Sequence, residues 1–325
     1  MPTYPGISSD AFRHPLDQQA EAALRSVPGF DLVARKFVEF VYERPQLVYL
    51  MGNSVQVGPR QYSSLYQLFR ECVRDLDLTP EPSLFVVQNQ QANSYAIGQE
   101  QPCIVLNSGL LDLLAAPELR AVLAHELGHI KCGHTTLIQM ATWIMGAASF
   151  VSEITLGLGN LVTSGLILAF YEWRRKAELS SDRAALLVTD DLETVLRSLM
   201  QVAGGSLQYA HECSLEAFIQ QSERYQALDQ NGLNQVYKFL LYSDLHNDML
   251  SHPFPVERIQ YLQAWAASSA YAQIRQGHYQ RVSDTGAVET TATETAATTH
   301  EAEILRRQIQ DLQSEIDRIK SPKSP

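Results

Sequence analysis

The sequence predicts a mainly helical α+β fold, and three observations carry that prediction. Apolar side chains recur at three- to four-residue steps through most of the chain, the period of helices with one buried face. Residues 83–107 alone break into short β-branched or aromatic runs divided by polar turns, which reads as a small sheet. A chain of 325 residues with 45% hydrophobic and 19% charged content can bury one large core and still carry an appendage.

Taken in order, residues 17–42 are predicted helical, with Phe30, Val33, Phe37 and Phe40 on one stripe, and residues 63–76 form a second helix. Residues 83–88, 94–98 and 102–107 are expected to form a three-stranded β-meander. The strand around Tyr95 is the candidate edge to which an extended peptide could add through main-chain hydrogen bonds. The sheet serves equally well as a cover for one side of the core.

The next helix carries the chemistry. Pro117 and Glu118 open it, proline in the first turn and an acid beside the positive end of the dipole, and AVLAHELGHI follows at residues 121–130. His125 and His129 are one turn apart, about 40° around the axis, so both imidazoles leave one face. Two neutral imidazoles and a further protein ligand hold one Zn²⁺ with an open fourth position, and the metal lowers the pKa of a bound water from about 15.7 toward 7. Glu126 is set at the wrong angle to ligate easily and at the right one to act as a base. Without that context, the same letters are an ordinary helical histidine pair. The longer metzincin pattern fails, because His134 falls nine residues after His125 and, on a continuous helix, points the other way. His134 and Cys132 are therefore not expected to be ligands.

Residues 135–170 hold one formal charge, Glu153. The segments 137–151 and 154–170 fall short of the ~20 residues of a bilayer-spanning helix. They are read as a hairpin, buried or in peripheral membrane contact, with two tight spans as the alternative. From residue 172 the sequence resumes an amphipathic helix that presents Glu178 and Asp182 on one face. Those acids need partners: zinc for Glu178, a ligand imidazole N–H for Asp182. The other reading is a solvated acidic pair among Arg174, Arg175 and Arg183. Residues 251–262 set His252 before a proline-initiated helix carrying Arg258.

Residues 1–280 are assigned to one domain, with its motif-bearing core at about 84–262. Residues 281–300, rich in Thr and Ala, read as a linker, and 301–325 as a short coiled-coil helix and tail whose apolar positions at 302–319 suit weak self-association or docking on a partner or on the catalytic domain. A net charge of −11 argues against a nucleic-acid partner. Cys72, Cys103, Cys132 and Cys213 lack paired spacing and are expected to be reduced. The first residues show neither a basic nor an apolar leader region, so a cytoplasmic location is expected, with membrane association through 137–170.

Together, the HELGH stretch at 125–129, Glu178 with Asp182, and His252-Pro253 with Arg258 resemble the HtpX-like zinc metalloprotease family, which includes the CAAX prenyl endopeptidases and Oma-type peptidases. Residues 93–98, NSYAIG, and 104–110, IVLNSGL, are similar to that family's stretches before the zinc helix. The resemblance implies a zincin-like fold with a gluzincin site: His125, His129 and Glu178 on zinc, Glu126 as general base and Asp182 orienting a ligand histidine. It also implies that His252 stands near the developing oxyanion and that Arg258 pairs with an acidic residue. The expected activity is hydrolysis of internal peptide bonds in protein or peptide substrates. The rival is a non-catalytic protein stapled by zinc and acting through its coiled coil.

Overall fold

The computed structural model of this chain describes residues 2–25, 44–98, 100–139, 160–229 and 254–282. Contacts divide the chain into two units, Met1–Arg281 and Val282–Pro325, and the elements described below belong to the first. The stripe at Phe30 to Phe40, residues 140–159 of the expected hairpin, His252 and the coiled-coil segment 302–319 lie outside the described residues.

The fold is α+β, mainly helical with one small mixed sheet. Its helices are α1 (Pro15–Arg25), α2 (Arg44–Asn53), α3 (Ser63–Asp75), α4 (Ser108–Leu113), α5 (Ala116–Lys131), α6 (Asn160–Thr189), α7 (Leu192–Gly204), α8 (Leu215–Asp229), α9 (Pro255–Ala266) and α10 (Ser269–Arg275). The strands are β1 (Val55–Gln56), β2 (Ser83–Val87), β3 (Ser94–Ile97) and β4 (Cys103–Asn107).

The sheet corrects the expected meander. Four strands run in the order β1-β2-β4-β3, and β2 pairs with β4 in parallel, so the chain passes over β4's place to form β3 and then returns. Burial explains the exchange. CIVLN at 103–107 is buried at every position and takes an inner place, whereas SYAI alternates, with Tyr95 exposed between buried Ser94 and Ala96, and takes the edge. The candidate edge around Tyr95 is thus an edge strand, paired with β4 alone among the described strands.

Strand alternation divides the core between the two faces of the sheet. Leu84, Val86, Ile104 and Leu106 join the main core with Phe69, Leu123 and Leu127. Phe85, Cys103 and Val105 face the other way and pack with Leu50. The sheet therefore lies between α2 and the helices that carry the candidate site.

Residues 160–189 form one 30-residue helix that runs from the expected hairpin segment 154–170 into the amphipathic stretch resumed at residue 172. Nothing in FYEWRR is a breaker: it has no glycine or proline, so hydrogen bonding continues through the change from apolar to charged sequence. No helix among the described residues is long and apolar enough to cross a membrane.

α5 and α6 run along each other, and a glycine sets their spacing. A Cβ at Gly128 would lie 2.7 Å from the Cβ of Ala184 and 3.1 Å from the Cα of Ser181. The small residue inside HELGH lets the two backbones approach closely enough for side chains of both helices to share one point.

Candidate metal centre

Three side chains from α5 and α6 meet in a triangle. His125 Nε2 and His129 Nε2 are 3.2 Å apart, and each lies 3.2 Å from a carboxylate oxygen of Glu178. All three residues are buried. Tetrahedral zinc bonded at about 2.0–2.1 Å separates neighbouring ligand atoms by about 3.3 Å, so the donor set and its spacing suit such an ion. Without it, burial would lower the His125 pKa, but hydrogen bonding to Asp182 and Glu178 raises it to about 9. A proton would then stand where a metal fits.

The supports behind the triangle come from two further elements. Asp182, one turn after Glu178, accepts from His125 Nδ1 at 3.0 Å. Arg258 reaches from α9 and grips the same carboxylate with both arms, Nε to Oδ2 at 2.8 Å and Nη2 to Oδ1 at 2.5 Å. Burial works against the Asp182 charge, yet Arg258 and His125 hold its carboxyl below the usual range. Arg258 also lies 3.6 Å from Glu178. Proline in the first turn starts α9 just ahead of it.

Glu126 is buried and its Oε1 accepts from the hydroxyl of Ser94 at 2.7 Å. Since Ser94 opens the edge strand β3, this bond ties the acid to the strand that could receive a peptide. The sequence reading had no place for Ser94. An inward-facing serine on an otherwise apolar strand face was the available signal, because a buried hydroxyl needs a partner.

His134 was expected on the far side of a continuous helix, and the structure corrects that. α5 ends at Lys131, Gly133 takes φ +71°, and the redirected chain brings His134 Nδ1 to 3.1 Å from His129 Nδ1. Glycine just past a helix end is a stop signal, and reading it would have voided the continuous-helix argument. His134 is fully buried, with its ring edge-on to Trp173 at 5.8 Å between centroids. Its Nε2 lies 3.0 Å from Asp17 Oδ2 on α1. Burial lowers the His134 pKa despite the pull of Asp17.

Asp17 also accepts from Arg13 at 3.1 Å and from Ser180 at 2.6 Å. Burial opposes its charge, but the bonds from His134 and Arg13 keep it ionised, below the usual carboxylate range. Asp17, Glu21 and His134 bring ligand-type atoms within 4.8 Å of one another, but Arg13 bonds both acids and already supplies the cation. Cys132 caps α5 through its backbone and is buried away from the triangle's donors. Cys72 and Cys103 are likewise buried and outside any disulfide, whereas the Cys213 thiol is exposed.

The model of peptidase family M48 matches residues 59–266, more than half of the chain. The plastoglobule-localized metallopeptidase 48 of Arabidopsis thaliana is 34% identical over 276 residues, covering 82% of this chain and 76% of its own length. Protease HtpX homolog 2 of Methanosarcina mazei is 25% identical over 51% of this chain and 63% of its own. A protease HtpX homolog of Sulfurovum sp. is 35% identical over 37% of this chain and 44% of its own. The match to the M48 model, across the segment that holds both histidines, Glu178 and Arg258, shows that this chain belongs to peptidase family M48 as an HtpX-like metalloprotease.

Proposed function

We propose that this chain is a zinc-dependent endopeptidase, with His125, His129 and Glu178 holding one Zn²⁺ and Glu126 acting as general base on internal peptide bonds of protein substrates. The observation that carries the reading is the meeting of two imidazole nitrogens 3.2 Å apart, each 3.2 Å from a different oxygen of the Glu178 carboxylate. Zinc held there supplies a Lewis acid that lowers the pKa of water toward about 7 and polarises the scissile carbonyl.

The chain's own groups do the rest. An extended substrate lies along the outer edge of β3 through main-chain hydrogen bonds. Glu126, steadied by Ser94, takes the proton of the attacking water and delivers it to the leaving amide nitrogen. Asp182 accepts from His125 Nδ1 and leaves its Nε2 lone pair facing the centre, while Arg258 holds Asp182. His252 stabilises the developing oxyanion, a role supported by the family resemblance of the His-Pro element. The non-catalytic alternative is not favoured, since a structural zinc site is closed by four protein ligands and needs no base.

Digestion of casein with and without a chelator, followed by zinc re-addition, tests the reading. Activity should vanish and return. Glu126→Gln should keep zinc and lose about 10²–10⁴-fold in kcat, whereas Glu178→Ala should release the metal. Full cleavage by the Glu126→Gln protein would refute the base assignment.

A further inference from the structure

Resting on the zinc reading, we propose that His134, aimed by Asp17 from α1, is a positioning residue that keeps the His129 proton on Nδ1 and leaves Nε2 bare for the metal. The claim follows from counting protons along a chain of three buried groups. Asp17 Oδ2 is already an acceptor from Arg13 Nε–H and from the Ser180 hydroxyl, at 3.1 and 2.6 Å. It has no proton to give, so the 3.0 Å contact with His134 Nε2 requires an N–H on that nitrogen.

A neutral imidazole with its proton on Nε2 has a bare Nδ1. That atom can only accept, and its neighbour at 3.1 Å is His129 Nδ1. His129 must therefore carry its proton there, which turns its lone pair toward His125 and Glu178. The reverse polarity would place the His129 proton on Nε2, in the middle of the triangle, where no cation could be bound.

The two ligand histidines are thus set by different devices. His125 gives its Nδ1 proton to Asp182, a carboxylate one turn away from the third ligand on the same helix. His129 donates its Nδ1–H to another histidine, and the negative charge lies one residue farther out, on α1. Ser180 joins the two arrangements: its hydroxyl bonds Asp17 while α6 carries Glu178 two residues before it. The His14 backbone N–H also donates to Ser180 Oγ at 2.9 Å, fixing α1 against α6.

The test uses the full chain and zinc itself. Zinc affinity is measured by chelator competition for wild type, His134→Phe and His134→Gln, with circular dichroism as the check on folding. Glutamine can accept from His129 with its carbonyl and donate to Asp17 with its amide, so that variant should stay within about threefold of wild type. Phenylalanine fills the space without either function and should weaken zinc by about 10–100-fold. Nitrogen-15 spectra of the wild-type histidine rings in the zinc-loaded protein should show His129 protonated on Nδ1 and His134 on Nε2.

A folded Phe variant with wild-type affinity overturns the proposal, as does a proton on His134 Nδ1. Should the Phe variant fail to fold, the ring spectra of wild type decide alone. Failure of wild type to bind zinc at all would instead strike the zinc reading, so the two failures are distinct.

Discussion

The hydroxyl of Ser94 and the carboxylate of Glu126 meet at 2.7 Å, joining the edge strand β3 to the centre of α5. A hydrogen bond to a charged acceptor is worth about 1.5–3 kcal/mol, and here it also fixes the carboxylate's direction. Ser94→Ala should therefore lower kcat by about tenfold or more. Zinc affinity, read separately by chelator competition, should not change, because Ser94 touches none of the three candidate ligands. A matching loss of both would move Ser94 from the base to the metal.

Arg258 donates from Nε and Nη2 to Asp182, and both residues are buried. Removing one member of such a pair strands the other's charge, at a cost of about 3–5 kcal/mol. Arg258→Ala should show that loss in thermal denaturation of the metal-free protein. Arg258→Lys should recover only part of it, because an ammonium cannot reproduce the two-armed geometry. Equal stability of all three proteins would mean that the pair contributes nothing.

Zinc should bind in competition with protons. In the metal-free site the His125 pKa is raised to about 9: burial pulls it down, but Asp182 and Glu178 outweigh burial. At pH 7 the ring is then protonated, and the metal must displace that proton. Affinity should climb roughly tenfold per pH unit from 7 toward 9 and flatten above, with about one proton released per zinc at pH 7. Titration calorimetry in buffers of different ionisation enthalpy reads the proton count, and a buffer-independent heat would contradict it.

Gly128 should be intolerant of even one added carbon. Its Cβ would stand 2.7 Å from the Cβ of Ala184, so Gly128→Ala has to push α5 and α6 apart. The expected cost is about 1–3 kcal/mol in stability, together with weaker zinc binding as Glu178 recedes from the histidines. Adding Ala184→Gly should recover part of both, and the Ser181 Cα at 3.1 Å limits the recovery. Thermal denaturation and chelator competition on the single and double variants check this.

What could be read from the sequence followed how local each signal is. The spacing of His125 and His129, the i, i+4 placement of Glu178 and Asp182, and the proline before Arg258 are properties of single helices, and the structure brings all five side chains to one place. The order of strands was readable only in part: the run around Tyr95 reads as the edge, but three short apolar runs do not say that the first and third pair in parallel. His134 was misjudged by extending one helix through a glycine that ends it. Asp17 was invisible for another reason: 117 residues separate it from His134, and no periodicity links positions so far apart.

That separation bears on where the molecule can be cut. The matched M48 segment begins at residue 59, whereas α1 lies upstream of it and sets Asp17, wholly buried, against His134 and Ser180. Trimming the chain to the recognisable peptidase segment would leave an empty slot beside α6 and an imidazole with nothing to receive its hydrogen. If His134 aims the His129 ring as proposed, the smallest unit that holds zinc at full affinity is larger than the matched segment and includes α1.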